Sequence, residues 1–274
     1  MSTEKLKVRL ELCSGLTVLR MNRCWAACLD GCSDKISGEH IVTRGTFTDD
    51  SVRVKGLPWC ATEFKTIGLS SFVKKALCRE HNSRLSEVDN AAIEFRKTLC
   101  EIVDLSSERG KLPPQQWSLE TFTANGLALE RWCLKTLITI AIDGGNSIGD
   151  GDTGPGTVPR ELVEIAFDLR RFQPPHAGLY WMGNAGTDIS VAEGVEIATF
   201  SNVTKRISGA RISYWGFGIL LMLTNTLSPG EFVFHTGDGK ALKPQVTRRP
   251  HKLGIGVSGR NSHVLEFNWP PGTA

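Results

Sequence analysis

Residues 24–40 read CWAACLDGCSDKISGEH and residues 76–92 read ALCREHNSRLSEVDNAA, and these two stretches decide the reading of the first hundred residues. Cys24, Cys28 and Cys32 fall within nine residues, and Cys78 stands three positions before His81. Zinc takes four tetrahedral thiolate or imidazole ligands, usually given by two short knuckles that meet in space. Two cysteines of the first cluster, together with Cys78 and His81, make a Cys3His set. Either neighbouring pair of the first cluster is spaced acceptably. The preferred set is Cys24, Cys28, Cys78 and His81, with Cys32 as the alternative ligand. Cys60, in LPWC, is a weaker substitute. Cys13, Cys100 and Cys133 lie alone among apolar neighbours and read as small buried hydrophobes.

Between the knuckles runs Ile36-Ser-Gly-Glu39-His40-Ile41-Val42, and Asn82 follows the second knuckle at once. This order resembles the HNH, or His-Me finger, endonucleases, in particular the subgroup whose ββα finger is held by zinc knuckles. Their pattern is a Cys knuckle, an acidic residue and His followed by aliphatics, then Cys-x-x-Cys/His and directly an Asn or His. The resemblance covers about a quarter of the chain. It implies a ββα-metal finger over 24–90 with His40 as the general base. A neutral imidazole has a pKa suited to taking a proton from water near neutral pH. It also implies that Glu39 and Asn82 are oxygen ligands of one catalytic Mg²⁺ or Mn²⁺, hard donors suiting a hard cation. Zinc would then be structural. The sequence departs from the family in three respects that touch catalysis. Thr43-Arg44-Gly45 replaces the usual Pro and Gly-Gly after the His, the insertion from Thr43 to Lys75 is longer than in a minimal finger, and no Asn occurs between His40 and Cys78. Ser70 or Ser71 is the candidate replacement for the middle residue that orients the base.

Outward from the finger, Leu6–Leu19 alternates and reads as a strand or two. Residues 70–99 read as helical, with Asn82, Ser86 and Asp89 on one face and Leu85, Val88, Ala92 and Phe95 on the apolar one. Asp89 reads as a carboxylate that caps or pairs on the helix surface. The polar, proline-containing SSERGKLPPQQ of 106–116 marks a domain boundary. Residues 125–142 form a strong helix that Asn125 can cap, its apolar set broad enough for a largely buried element. A glycine-rich acidic loop follows, then PRELVEIAF, with Pro159 at the first position of a short helix. From Gly178 strands dominate: GLYWM, GVEIATF, ARISYWGFGILLMLT, EFVFH and HVLEFNW. His176 and His263 read as structural. Arg248-Arg249-Pro250-His251-Lys252 is a basic run that could meet phosphate, although a solvated loop fits it better.

With 41% hydrophobic and 22% charged residues the chain has an ordinary globular composition. Lys+Arg against Asp+Glu runs 16 to 12 in residues 1–100, 7 to 14 in 101–200 and 9 to 3 in 201–274. Two basic ends around an acidic middle are compatible with nucleic acid. MSTEKLKVRLEL lacks the apolar centre of an export signal, and no stretch is apolar enough to span a bilayer. The expectation is a cytoplasmic protein that binds no membrane, and in a reducing cytosol clustered cysteines favour metal over disulfides.

The expected fold is α+β, with an N-terminal zinc-stapled ββα-metal finger followed by an α+β domain carrying an antiparallel sheet. The expected domains are an HNH-type nuclease domain over 1–108 and an α+β domain over 109–274, which selects substrate, senses a ligand or mediates assembly, homo-oligomers included. The expected activity is divalent-metal-dependent hydrolysis of DNA phosphodiesters. The rival readings are a finger that binds nucleic acid without cleaving it and a zinc-stabilised interaction module.

Overall fold

A computed structural model describes residues 24–270, leaving out 48, 58, 151–153, 183–185, 189–194, 203, 205, 215, 227, 230–233, 236–240, 243–244 and 258–259. The strand expected within Leu6–Leu19, and Cys13, lie outside the described residues.

With short 3-10 turns at Ala27–Leu29, Arg44–Thr46 and Leu69–Ser71, the first hundred residues give β1 (Ile36–His40), β2 (Ser51–Lys55), β3 (Lys65–Gly68) and β4 (Val73–Cys78). Two helices follow, α1 (Arg79–Arg84) and α2 (Ser86–Arg109). β1 pairs antiparallel with β4, Ile36 opposite Cys78 and His40 opposite Val73. The helix expected from residue 70 therefore begins later. Val73–Cys78 pair with β1, and Cys78 is extended (φ −72°, ψ 160°), its Sγ accepting from the His81 N–H at 3.4 Å. A side-chain acceptor at that position starts a helix rather than continuing one. Leu85 (φ −89°, ψ 1°) then separates α1 from α2, so Asn82 belongs to one helix and Ser86 and Asp89 to the next.

The second half gives the expected helices, but ARISYWGFGILLMLT is two paired strands with Gly216 at φ 80° between them. Glu120–Asn125 and Lys252–Val257 are strands the sequence pattern does not announce. After β5 (Glu120–Asn125) comes α3 (Gly126–Asp143), and the Asn125 Oδ1 accepts from the Ala128 N–H at 3.0 Å. The helix is buried from Gly126 to Ala141, which accounts for its broad apolar set. α4 (Arg160–Ala166) starts one residue after Pro159. The strands are β6 (Gly178–Met182), β7 (Gly186–Asp188), β8 (Val195–Ser201), β9 (Ile207–Tyr214) and β10 (Phe217–Met222), then β11 (Phe234–His235), β12 (Ala241–Leu242), β13 (Val246–Arg248), β14 (Lys252–Val257) and β15 (Arg260–Asn268).

The fold is mixed α+β. Its largest sheet runs β13-β6-β10-β9-β8-β2-β3, antiparallel except where β2 joins β8 in parallel. A second sheet, β5-β15-β14-β7, is mixed, and β11 and β12 form a short ribbon. The junction of β2 with β8 depends on Gly56. Its φ is +85°, and a Cβ there would lie 1.2 Å from the Ile197 carbonyl oxygen. Only glycine lets the two backbones approach so closely.

One hydrophobic cluster runs from Cys24 to Phe267. α2 lays Phe95 within 6.0 Å of the Phe217 ring and 6.4 Å of Phe267. Trp132 on α3 meets Tyr214, whose hydroxyl donates to the Thr46 carbonyl at 2.7 Å. The boundary expected at 108 coincides with the end of α2, and residues on both sides of it share this core. No described helix is long and apolar enough to cross a membrane.

Candidate metal centre and the charged network beside it

Cys24, Cys32, Cys78 and His81 offer ligand atoms that all lie within 4.8 Å of one another. The three Sγ atoms stand 3.3, 3.5 and 3.3 Å from His81 Nδ1, for Cys24, Cys32 and Cys78 respectively. Around a tetrahedral zinc with bonds of about 2.3 Å to sulfur and about 2.0 Å to nitrogen, sulfur and nitrogen should be roughly 3.5 Å apart. The spacing fits. This cluster could hold a metal such as zinc, closed by four protein ligands in the manner of a structural site.

Local structure explains why Cys32, and not Cys28, completes the set. The Ala27–Leu29 turn carries Cys28 past the centre. Asp30 (φ 60°) and Gly31 (φ 68°) then adopt left-handed backbone and reverse the chain, returning Cys32 to it. From the other side, β4 delivers Cys78 at its last residue and α1 carries His81, which is fully buried. The His81 ring packs edge-on against Phe167 at 5.4 Å, and Trp25 meets the same ring at 5.7 Å. The preference for Cys28 is therefore corrected to Cys32. Cys60 is buried elsewhere, bridged to Leu57, and Cys133 is a fully buried apolar residue as expected.

The thiols respond to this crowding. Burial raises Cys24, and burial together with the neighbouring Cys24 pushes Cys32 up to about 12. Burial also acts upward on Cys78, but backbone N–H donors at His81 and Ser33 outweigh it and its pKa ends lowered. Three thiolates so close need a cation between them to ionise together, which a metal supplies.

The residues expected to do chemistry are placed differently. Glu39, 3% exposed, forms an ion pair with the Lys135 ammonium of α3. The same Nζ bonds Asp89 Oδ1 and Oδ2 at 2.6 and 2.7 Å. Asp89 also accepts from the Thr43 hydroxyl at 2.6 Å, and Thr43 Oγ1 accepts from Trp132 Nε1 at 2.9 Å. Lys135 and Trp132, three residues apart, share one helix face and reach into the first hundred residues side by side. Burial pushes the Glu39 carboxyl up, and the ammonium offsets this only in part.

His40 ends β1 and is half-buried. Burial, then the cations Arg44 and Lys135, hold its pKa below the ordinary histidine value, with Asp89 acting against them. The shift favours the neutral imidazole near neutral pH. Asn82 is not brought to Glu39 or His40 by any hydrogen bond among the described residues, and its Oδ1 is buried without a partner. Among the described residues the Cys3His set is the one grouping of His, Cys, Asp and Glu that could hold a metal, so a catalytic Mg²⁺ or Mn²⁺ site is not evident.

Lys135 was the residue that sequence reasoning missed. Its signal was present, since a lysine in the middle of a helix that is apolar all round must find a partner when it is buried. The basic run at 248–252 serves the fold. Arg248 donates to the Ala177 carbonyl at 2.8 Å, Arg249 reaches the buried Glu130 at 2.8 and 2.9 Å, and Lys252 pairs with Glu266. His263 is structural as expected, buried against Phe122 with Nδ1 accepting from the Glu120 N–H. Comparison with protein-family models, with curated proteins and with solved structures finds no match to this chain.

Proposed function

We propose that the chain is an HNH-type endonuclease that hydrolyses DNA phosphodiester bonds, with His40 as general base and residues 24–90 as a zinc-stapled ββα-metal finger. The observation that carries this reading is the pairing of β1 with β4, which runs on into α1. It joins the Glu39-His40 strand to the Cys78–Asn82 turn in one unit, with the Cys3His cluster at the end where Ile36 faces Cys78. The lowered pKa of His40 supports its role, because a base must be unprotonated to accept a proton from water. The buried, unpartnered Asn82 Oδ1 is a hard oxygen donor, which suits a ligand of a Mg²⁺ or Mn²⁺ ion. Such an ion would neutralise charge on the scissile phosphate.

A second reading, nucleic-acid binding without cleavage, is favoured by the ion pair between Glu39 and Lys135. A carboxylate already neutralised by a buried ammonium is a weaker metal ligand. Supercoiled plasmid incubated with zinc-loaded protein and Mg²⁺ or Mn²⁺ separates the two. Nicking that disappears in His40→Ala, with zinc retained, supports the nuclease. Intact plasmid alongside salt-sensitive DNA binding selects the second reading.

A further inference from the structure

The loop between β2 and β3, with the strands beside it, exposes aromatic rings that the fold does not use. Val52 and Val54 of β2 point into the core, which leaves Arg53 and Lys55 on the other face. β3, at the end of the seven-stranded sheet, sets Lys65 opposite Val54. Trp59 and Phe64 are 40% and 42% exposed, and they are the two aromatics among the exposed large hydrophobic side chains of the described residues. Arg53 lies over the Phe64 ring at 4.9 Å and Lys55 Nζ at 5.6 Å. Lys65 Nζ donates to the Trp59 backbone carbonyl at 2.9 Å, which ties that cation to the loop carrying the indole. Lys55 shares its charge with Glu196 at 3.6 Å, and Glu63 adds one acid to the loop. Arg53 and Lys65 have no ion-pair partner among the described residues.

Exposed rings on a loop that also carries cations offer an apolar surface for bases and positive charge for phosphates. A duplex stacks its own bases and offers rings only its edges. A single strand offers base faces and phosphates at the spacing of successive nucleotides. We propose that Trp59 and Phe64, flanked by Arg53 and Lys65, form a stacking platform for a single strand of nucleic acid. The platform rests on the nucleic-acid part of the reading above and not on cleavage, so it stands equally for a nuclease and for a binding protein.

The test is fluorescence anisotropy of the zinc-loaded full chain with labelled dT20, rU20 and a 20-base-pair duplex, without Mg²⁺ so that nothing is cut. The wild type should bind one or both single strands more tightly than the duplex, the two strands showing which sugar is preferred. Trp59→Ala and Phe64→Ala should each weaken single-strand binding by about tenfold and leave the salt dependence unchanged. Arg53→Ala/Lys65→Ala should flatten the slope of log affinity against log salt by roughly 1.4, two phosphate contacts on a single strand. All four positions are at the surface, so an unchanged urea midpoint shows that each variant is folded. Single-strand affinity untouched by the aromatic variants would overturn the platform, as would duplex binding at equal strength or no single-strand binding at all. Plasmid nicking that persists in any of these cases leaves the nuclease reading standing. Single-strand binding without nicking keeps the platform and removes the nuclease.

Discussion

Replacing Lys135 with Met removes the cation that pairs with both Glu39 and Asp89 and keeps the volume of the side chain. Glu39 is 3% exposed and has no other cation within ion-pairing distance among the described residues, whereas Asp89 retains the Thr43 hydroxyl. Deleting one member of a buried ion pair costs about 3–5 kcal/mol, chiefly because the remaining charge is left buried and unpaired. Glu39→Gln removes that charge, so the double variant Glu39→Gln/Lys135→Met should recover much of the loss. Urea is the denaturant to use, because guanidinium would itself screen the pair. The expected outcome is a large fall in the urea midpoint of Lys135→Met with zinc still bound, and a coupling energy of several kcal/mol in the double-mutant cycle. A loss of under about 1 kcal/mol, typical of an exposed pair, would refute the view that this network locks α3 onto the first hundred residues.

Two further outcomes follow from the geometry. Gly56→Ala forces a Cβ onto the Ile197 carbonyl at a positive φ, so the unfolding free energy from urea titration should fall by more than the roughly 1–3 kcal/mol that such a backbone costs alone; an unchanged value would contradict the parallel junction of β2 with β8. If His40 is the base, kcat/KM for nicking is lost as pH falls through its pKa, and because burial and the neighbouring cations lower that pKa, the acidic limb should be centred below 6.5; a limb at or above 6.5 would assign the base elsewhere.

What the sequence made legible was local. Asn125 announced the start of α3 because a side-chain acceptor before an apolar run satisfies free N–H groups, and GLYWM became β6 residue for residue. The Cys3His set was readable from two knuckles, but its membership was not. Choosing Cys32 over Cys28 depends on where Asp30 and Gly31 turn the chain, and spacing alone allows both. The reading of 70–99 as one helix failed at Val73–Cys78, where pairing with the distant β1 overrides local pattern. The same holds for β2, whose partner β8 lies more than a hundred residues onward. Asp89 pairs, but not on the helix surface as its sequence suggests: its partner Lys135 is buried on another helix, and only the packed fold brings the two together.

The zinc-stapled finger stands on the metal centre, whose membership can be measured directly. Zinc content by mass spectrometry of the native protein should give one ion per chain in the wild type and in Cys28→Ser. Cys32→Ser and Cys78→Ser should lose the ion and unfold at lower urea, since a closed structural zinc site contributes its binding energy to folding. Zinc retained by Cys32→Ser but lost from Cys28→Ser, or a wild type that folds and stays folded without metal, would contradict the account.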